Sequence, residues 1–527
     1  MNRVYAAAAV AAFFFAPAAA RAAGPDDLLA KAAAFTGSPA GLRTVYRFVP
    51  PPAAAATPVP STADSAPDRA PLDPATLTTV RTGLLYRTDI ARGGVVSPSG
   101  FTGSFYWLAS VNGVPVRLYE DTARIALTTN TVEARAFSGV PAESRPPVTI
   151  EGKTFDVVRV TPPGGFTADL AIDTATGELR RMTMAPDNIY EREVTTYDAA
   201  KEVAAGVHVA TGYTQGRAHF ALVSAAAAPV APAELALPVT TATWTFGEPA
   251  AVPIDVAQRR AGGRSVHVHA VINGKPGTFL LDSGAAVTLL YKDFADGLGA
   301  ETLGPTSYSG VNGGVVSATH ARVKTIAIGN ATLNNVIVSV SKAQFQPDID
   351  GILGFDIFAS ALVDVDLAAG TIAVMDPVKY APAMPAGAVA FPVDLSTLQP
   401  SVRIDALGVP FHIVVDTGND FLIVLSDDAR TSGRLVSLPA SINIGGREAA
   451  YSIFYGGVDG TAPKRAPCIR LNRVQVGPYR YENALSCFGN PYVFGKDGGL
   501  LGFDFLRHFN WTFDYPEAKL ILTPNGR

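Results

Sequence analysis

LLDSGAAVTLL, residues 280–290, sets one ionisable side chain, Asp282, inside an otherwise apolar run. A carboxylate buried alone in such a run is costly, so the residue calls for a partner. The stretch FHIVVDTGNDFLIVL, residues 411–425, supplies one: Asp416 stands after an apolar strand and opens the same Asp-[Ser/Thr]-Gly triplet. The duplication extends outward in both directions. VPIDV at 252–256 recurs as FPVDL at 391–395, YSGVNGG from Tyr308 as YGGVDGT from Tyr455, and GILGFDIF from Gly351 as GLLGFDFL from Gly499. Tyr308 precedes Gly354 by 46 residues and Tyr455 precedes Gly502 by 47, while a hairpin glycine (Gly329, Gly477) precedes each of the two by 25. Motifs kept in one order at near-identical spacing mark an internal repeat. Residues 250–380 and 388–527 therefore read as two copies of one β-fold.

The triplets carry a coherent chemistry. Gly284 and Gly418 permit a tight turn and the close approach of another backbone. Ser283 and Thr417 offer hydroxyls that can hydrogen-bond across a two-fold axis and fix the loops. If the copies pack symmetrically, Asp282 and Asp416 meet at that axis and share a proton, because like charges at hydrogen-bond distance do not both ionise. The ionised member can then serve as general base toward water, and the protonated member can polarise a carbonyl and later protonate a leaving amine.

With these motifs the second half of the chain resembles the aspartic proteases of the pepsin/retropepsin fold. DSGA at 282–285 has the retropepsin form, and DTG at 416–418 is shared by both branches. The resemblance implies a bilobal acid-protease β-barrel fold of two pseudo-symmetric lobes fused in one chain. It implies that Gly354 and Gly502 belong to ψ-loops supporting the catalytic turns. It also implies that Tyr308, Gly310, Gly313, Tyr455 and Gly457 belong to flap hairpins closing over substrate. The expected activity is aspartic endopeptidase, with a peptide or protein substrate bound in extended form, no cofactor and no metal. The expected state is a monomer with an intramolecular dyad. Asn419 departs from the pattern, standing where the family has Ala, Ser or Thr; its amide could reshape the bonding around Asp416, or it could mark a second site that has drifted and a lobe that is structural. The rival reading is a non-catalytic peptide- or lipid-binding protein that retains the protease fold. A singly protonated dyad would give an activity optimum on the acidic side of neutrality. Ala285 lacks a hydroxyl that would further stabilise an anion at Asp282.

The remaining half is read by pattern. Gly (49 residues) and Pro (40) are abundant in the 527-residue chain, which favours a turn-rich β protein. The net charge of −4 gives no electrostatic case for nucleic acid or an anionic membrane. The opening MNRVYAAAAVAAFFFAPAAARAAG has a positive Arg3, a short apolar stretch and an A-x-A site at Ala20–Ala22. It reads as a signal peptide over residues 1–22, with an exported, periplasmic or secreted product. No stable membrane anchor is expected, because the apolar stretch is too short to span a bilayer. Residues 24–240 alternate apolar and polar positions between Gly, Asn and Asp breaks and read as one antiparallel β-rich domain. This domain resembles the sheet of the bacterial lipoprotein-carrier class (LolA/LolB-like). Residues 50–75 and 224–239 are Pro/Ala-rich, the first irregular and the second an interdomain linker.

Smaller features receive plain readings. His267 and His269 have same-face strand spacing, but no acidic or Cys ligand accompanies them, and they read as surface residues. Asp356 and Asp504, in the repeated GFD, read as turn or cap residues. Cys468 and Cys487 lie at equal offsets from the Gly477-Pro478 turn, which sets them opposite each other across two antiparallel strands and predicts a disulfide.

Overall fold

The computed structural model describes residues 24–50, 75–184, 193–216, 218–258, 264–310, 315–344, 346–435, 438–439, 441–444, 447–450, 452–455, 464–489 and 497–526. The expected signal peptide and nearly all of segment 50–75 lie outside the described residues. The protein is mostly β, with an antiparallel β-rich domain ahead of a bilobal acid-protease fold.

In the N-terminal domain a thirteen-stranded sheet runs between edges Pro115–Arg117 and Ala142–Ile150. Its last strand, Ala218–Ala227, pairs with its first, Leu42–Val49, so the two ends of the domain meet mid-sheet. Helices Pro25–Thr36 and Glu120–Glu133 pack on it through Leu28, Leu29 and Val132, against Val158, Leu170, Ile172 and Met184. The stretch 224–239 differs from the linker expectation. Its first four residues finish the strand Ala218–Ala227. The rest is pinned to the domain by Arg43, which donates to Glu234, and by Arg87, which donates to the Ala236 carbonyl. Two arginines projecting from the sheet convert an Ala/Pro run with little side-chain chemistry of its own into part of the domain.

The lobes meet in six neighbouring strands within a larger sheet. Val252–Gln258, Thr371–Met375 and Leu362–Asp366 come from lobe 1; Phe509–Asp514, Lys519–Pro524 and Val389–Pro392 continue from lobe 2. The central pair, Leu362–Asp366 with Phe509–Asp514, is antiparallel and has Val363 opposite Phe513. The repeated VPIDV and FPVDL motifs fall on the outermost strands of this arrangement, the first at the start of Val252–Gln258 and the second across the end of Val389–Pro392. One apolar core is continuous through both lobes and includes Phe358, Trp511 and Phe513, all fully buried. Lobe 1 begins earlier than residue 250, because Thr243–Phe246 pairs with Ala331–Asn334 on its sheet.

In lobe 2, Cys468 lies directly opposite Cys487 and the two are bonded, with Cα atoms 4.0 Å apart. The pairing keeps one register through Leu471–Ala484 and Val474–Tyr481 to the Gly477-Pro478 turn. His267 is buried rather than at the surface. Its strand, Arg264–Ile272, lies between Val252–Gln258 and Lys275–Leu281, and its ring Nε2 lies 3.0 Å from the Ser265 hydroxyl. His269 is exposed and has an acidic neighbour that the sequence did not reveal, Asp255 at 2.9 Å.

The N-terminal domain docks on both lobes. The Tyr119 amide donates to Ser396 Oγ (2.9 Å), and Glu120 lies 3.0 Å from Arg403 and 2.7 Å from His412 of lobe 2. On lobe 1, the turn at Gly93-Gly94 abuts Leu303–Pro305, and Arg92 donates to Ser307 Oγ (2.8 Å). Asn112 enters lobe 1 more deeply, as described below.

Candidate active site

Each triplet sits at the end of a strand held by a parallel neighbour. Lys275–Leu281 pairs with Gly351–Leu353, and Val409–Val415 with Gly498–Leu501. The strand that follows each triplet returns antiparallel to the same neighbour, Leu289–Tyr291 in lobe 1 and Ile423–Ser426 in lobe 2. The apolar side chains of these short strands bury both sheet faces, and the turn is left as the exit for the polar triplet. The backbone bonds repeat closely. Asp282 N donates to Leu353 O (3.0 Å), and Asp416 N to Leu501 O (2.9 Å). Phe355 N donates to Ala285 O (2.8 Å), and Phe503 N to Asn419 O (2.7 Å).

The hydroxyls join the lobes at the centre. Ser283 Oγ donates to Val415 O (2.6 Å) and accepts from Thr417 N (3.1 Å). Thr417 Oγ1 donates to Leu281 O (2.7 Å) and accepts from Ser283 N (3.0 Å). Both side chains are fully buried. Four reciprocal bonds in a dry setting make the relative position of the two turns rigid.

The glycines locate the carboxyl groups. A Cβ built on Gly284 would stand 2.6 Å from Asp416 Cγ, and one on Gly418 would stand 2.6 Å from Asp282 Cγ. Each carboxyl group therefore lies against the glycine of the opposite triplet. Each also accepts from the glycine of its own triplet: Gly284 N donates to Asp282 Oδ1 and Gly418 N to Asp416 Oδ1, both at 2.8 Å. Asp416 is buried and Asp282 half-buried. Burial, and then the negative charge of Asp282, push the buried Tyr515 phenol well above its usual range.

Gly354 and Gly502 lie behind the turns. A Cβ on Gly354 would stand 2.7 Å from Ala285 O, and one on Gly502 would stand 2.6 Å from Asn419 O. The Asn419 side chain is turned toward this support: its Oδ1 accepts from Phe421 N (3.4 Å), and its Nδ2 lies 2.6 Å from where a Cβ on Gly502 would stand. In lobe 1, Glu301–Ser309 and Val315–Ile328 form a hairpin with Tyr308 opposite Val316. Tyr308 packs with Ala285 on a small cluster containing Leu289, Tyr291 and Ile352, which brings the hairpin to the Asp282 turn, and Gly310 is buried at the hairpin's end. In lobe 2, Ser452–Tyr455 pairs with Lys464–Leu471, placing Tyr455 opposite Lys464. Gly313 and Gly457 lie outside the described residues.

The sequence reading missed several contributors. Gln399 Nε2 donates to the Gly284 carbonyl, bringing a lobe 2 side chain onto the lobe 1 turn. Asp356 is not a simple cap. It is buried and accepts from Thr288 N (2.8 Å) and from Asn112 Nδ2 (2.8 Å). Its counterpart Asp504 is exposed, 3.6 Å from Arg507. Asn112 and Gln399 stand in unrepeated surroundings, and the repeated GFD that holds Asp356 carries no information on what packs against it, so no pattern could have revealed these contacts.

The paired carboxylates on interlocked turns can be compared with known proteins. Residues 268–357 match the family model described as Aspartyl protease. At the level of that family, the match points to protease activity. It covers the lobe 1 segment that contains Asp282, the first flap-like hairpin and Gly354. No curated protein matches the chain. Among solved structures, a LolA superfamily protein from Nitrosomonas europaea is similar over 41% of this chain and 98% of its own, at 13% identity and a TM-score of 0.30.

Proposed function

We propose that the protein is an exported aspartic endopeptidase, periplasmic or secreted, working as a monomer on peptide or protein substrates. Asp282 and Asp416 are its catalytic pair. The observation that carries the reading is the reciprocal contact of each carboxyl group with the opposite triplet's glycine, 2.6 Å from the position a Cβ would take. A pair set this close holds one proton between two carboxylates. The ionised carboxylate takes a proton from water, whose oxygen attacks the peptide carbonyl carbon. The protonated carboxyl group donates to the carbonyl oxygen as it becomes negative. Collapse of the tetrahedral species breaks the C–N bond, and a proton from the dyad goes to the departing amine. Ser283 and Thr417 hold the two turns in register, and Gly354 and Gly502 back them. The hairpins around Tyr308 and Tyr455 cover a substrate lying between the lobes, where main-chain pairing supplies affinity and side-chain pockets supply preference.

Pepstatin-sensitive cleavage of a peptide library by the purified protein, abolished in both Asp282→Asn and Asp416→Asn, is the expected result. Peptide binding with no cleavage between pH 3 and 8 would instead support the non-catalytic binding reading.

A further inference from the structure

Asn112 belongs to the N-terminal domain but is buried in lobe 1, 1% exposed. Its Oδ1 accepts from Ile337 N (2.7 Å), and its Nδ2 donates to Ile337 O (3.0 Å) and to Asp356 Oδ1 (2.8 Å). The side-chain amide thus pairs with a lobe 1 strand, Ala331–Ser341, as a peptide unit would, and spends its second N–H on a carboxylate. The loop that presents it is locked. Ser110 Oγ accepts from Asn112 N (3.2 Å) and Val114 N (3.3 Å), Gly113 N donates to Ser110 O (2.9 Å), and Thr241 N donates to Asn112 O (2.9 Å). Gly113 has a φ of +77°, and a Cβ there would stand 2.6 Å from Val239 O.

Asp356 passes the contact to the catalytic turn. Its Oδ2 accepts from Thr288 N (2.8 Å), and Thr288 Oγ1 accepts from Gly354 N (3.3 Å). Thr288 closes the loop that Asp282 opens. Burial pushes the Asp356 carboxyl group up, and among the described residues no Lys or Arg forms an ion pair with it, so its hydrogen-bond donors are what stabilise its charge. Among the described residues lobe 2 has no such chain. Leu422 stands where Thr288 does, Gly502 N donates directly to the Leu422 carbonyl (3.1 Å), and Asp504 is exposed.

We propose that Asn112 is a positioning residue for the Asp282 turn, so that the N-terminal domain completes the support of one catalytic carboxylate and not the other. The proposal takes the protease reading as its functional context, but its first test does not require activity. Hydrogen exchange of the full-length protein, followed by mass spectrometry, reads the 282–290 and 416–425 segments separately. Asn112→Ala should speed exchange in 282–290 by on the order of 10-fold and leave 416–425 unchanged. The double variant Asn112→Asp/Asp356→Asn exchanges the amide and the carboxylate and retains the bond between the two positions. It should return 282–290 toward the wild-type rate, whereas Asn112→Asp alone, which sets two carboxylates together, should not. With a cleavable peptide, Asn112→Ala should lower kcat by about 10- to 100-fold at nearly unchanged KM, again with partial recovery in the exchanged pair. Wild-type exchange in 282–290 of Asn112→Ala would overturn the proposal. If that variant does not fold, a folded exchanged pair with fast 282–290 exchange would overturn it equally. Failure of the wild type to cleave peptides, with the exchange pattern as expected, would remove the protease reading and leave the positioning role standing.

Discussion

The two Asp-[Ser/Thr]-Gly turns are near copies at the triplet and unlike one layer behind it. Both aspartates accept from their own glycine at 2.8 Å, and both turns donate to the parallel neighbouring strand, at Leu353 O and Leu501 O, at 2.9–3.0 Å. Behind them, lobe 2 closes its turn with a backbone bond to Leu422, while lobe 1 uses Thr288, the buried Asp356 and an asparagine from another domain. Symmetry is kept where the two halves must meet and relaxed where each meets its own surroundings. A residue at the axis faces its own counterpart, so a hydroxyl on one side, Ser283, meets a hydroxyl on the other, Thr417. Among the described residues, Asp356 is bonded by Asn112 of the N-terminal domain, whereas Asp504 is exposed and lies 3.6 Å from Arg507.

The largest break in this comparison is expected at the axis. Gly284→Ala and Gly418→Ala each drive a methyl group into the opposite carboxyl, 2.6 Å away, and the carboxyl group cannot yield without leaving the pair. Both should lower turnover by about 10²- to 10⁴-fold, the range that general acid–base groups contribute. The two losses should be similar, and steady-state cleavage of one peptide by both variants checks this.

A smaller effect is expected in lobe 2 alone. Cys468 and Cys487 are bonded across neighbouring strands at a sequence separation of 19. The chain-entropy model gives a closed loop of this size roughly 3 kcal/mol. Cys468→Ala/Cys487→Ala should lose about that much in denaturant unfolding, with lobe 1 unfolding unchanged when followed by exchange of residues 282–290.

The smallest effects separate Asp356 from Asp504. Burial raises the Asp356 carboxyl, so the fold favours its neutral form. Its contribution to stability is fully present below the unfolded carboxylate range and declines as pH rises through the raised value. Asp356→Asn does not titrate there. The stability of wild type relative to this variant should therefore fall between acid and neutral pH. Asp504→Asn, at an exposed position, should change stability by less than about 0.5 kcal/mol at any pH. Unfolding midpoints of the three proteins across pH 4–8 distinguish the sites.

The repeat made the bilobal half legible because its motifs are constrained twice. Asp282 and Asp416, the hydroxyls beside them and the glycines behind recur at fixed spacing, and the structure brings them to one axis. The cysteines were legible for a similar reason: a turn of known position sets the register of everything equidistant from it. The unrepeated residues were not. Asn112 sits in a Gly-containing turn of SVNGVP, ordinary on its face, and its partner Asp356 lies 244 residues away. His267 was misplaced because alternation identifies a face of a strand and says nothing about what covers that face. The helix Glu120–Glu133 was hidden by its Thr-rich sequence, LTTNTVE, since β-branched residues weigh toward strand. The run 224–239 looked like a linker by composition, yet the side chains that fix it, Arg43 and Arg87, belong to other strands.

The central claim is one dyad within one chain. The competing arrangement pairs Asp282 with Asp282 of a second copy and leaves lobe 2 structural. Asp416→Asn, assayed on a cleavable peptide over a dilution series, separates the two. The intramolecular dyad predicts that Asp416→Asn loses about 10²- to 10⁴-fold in turnover, that wild-type rate per chain is independent of concentration, and that mixing Asp416→Asn with Asp282→Asn restores nothing. Near-wild-type turnover of Asp416→Asn, with rate per chain rising as the protein is concentrated, would contradict it.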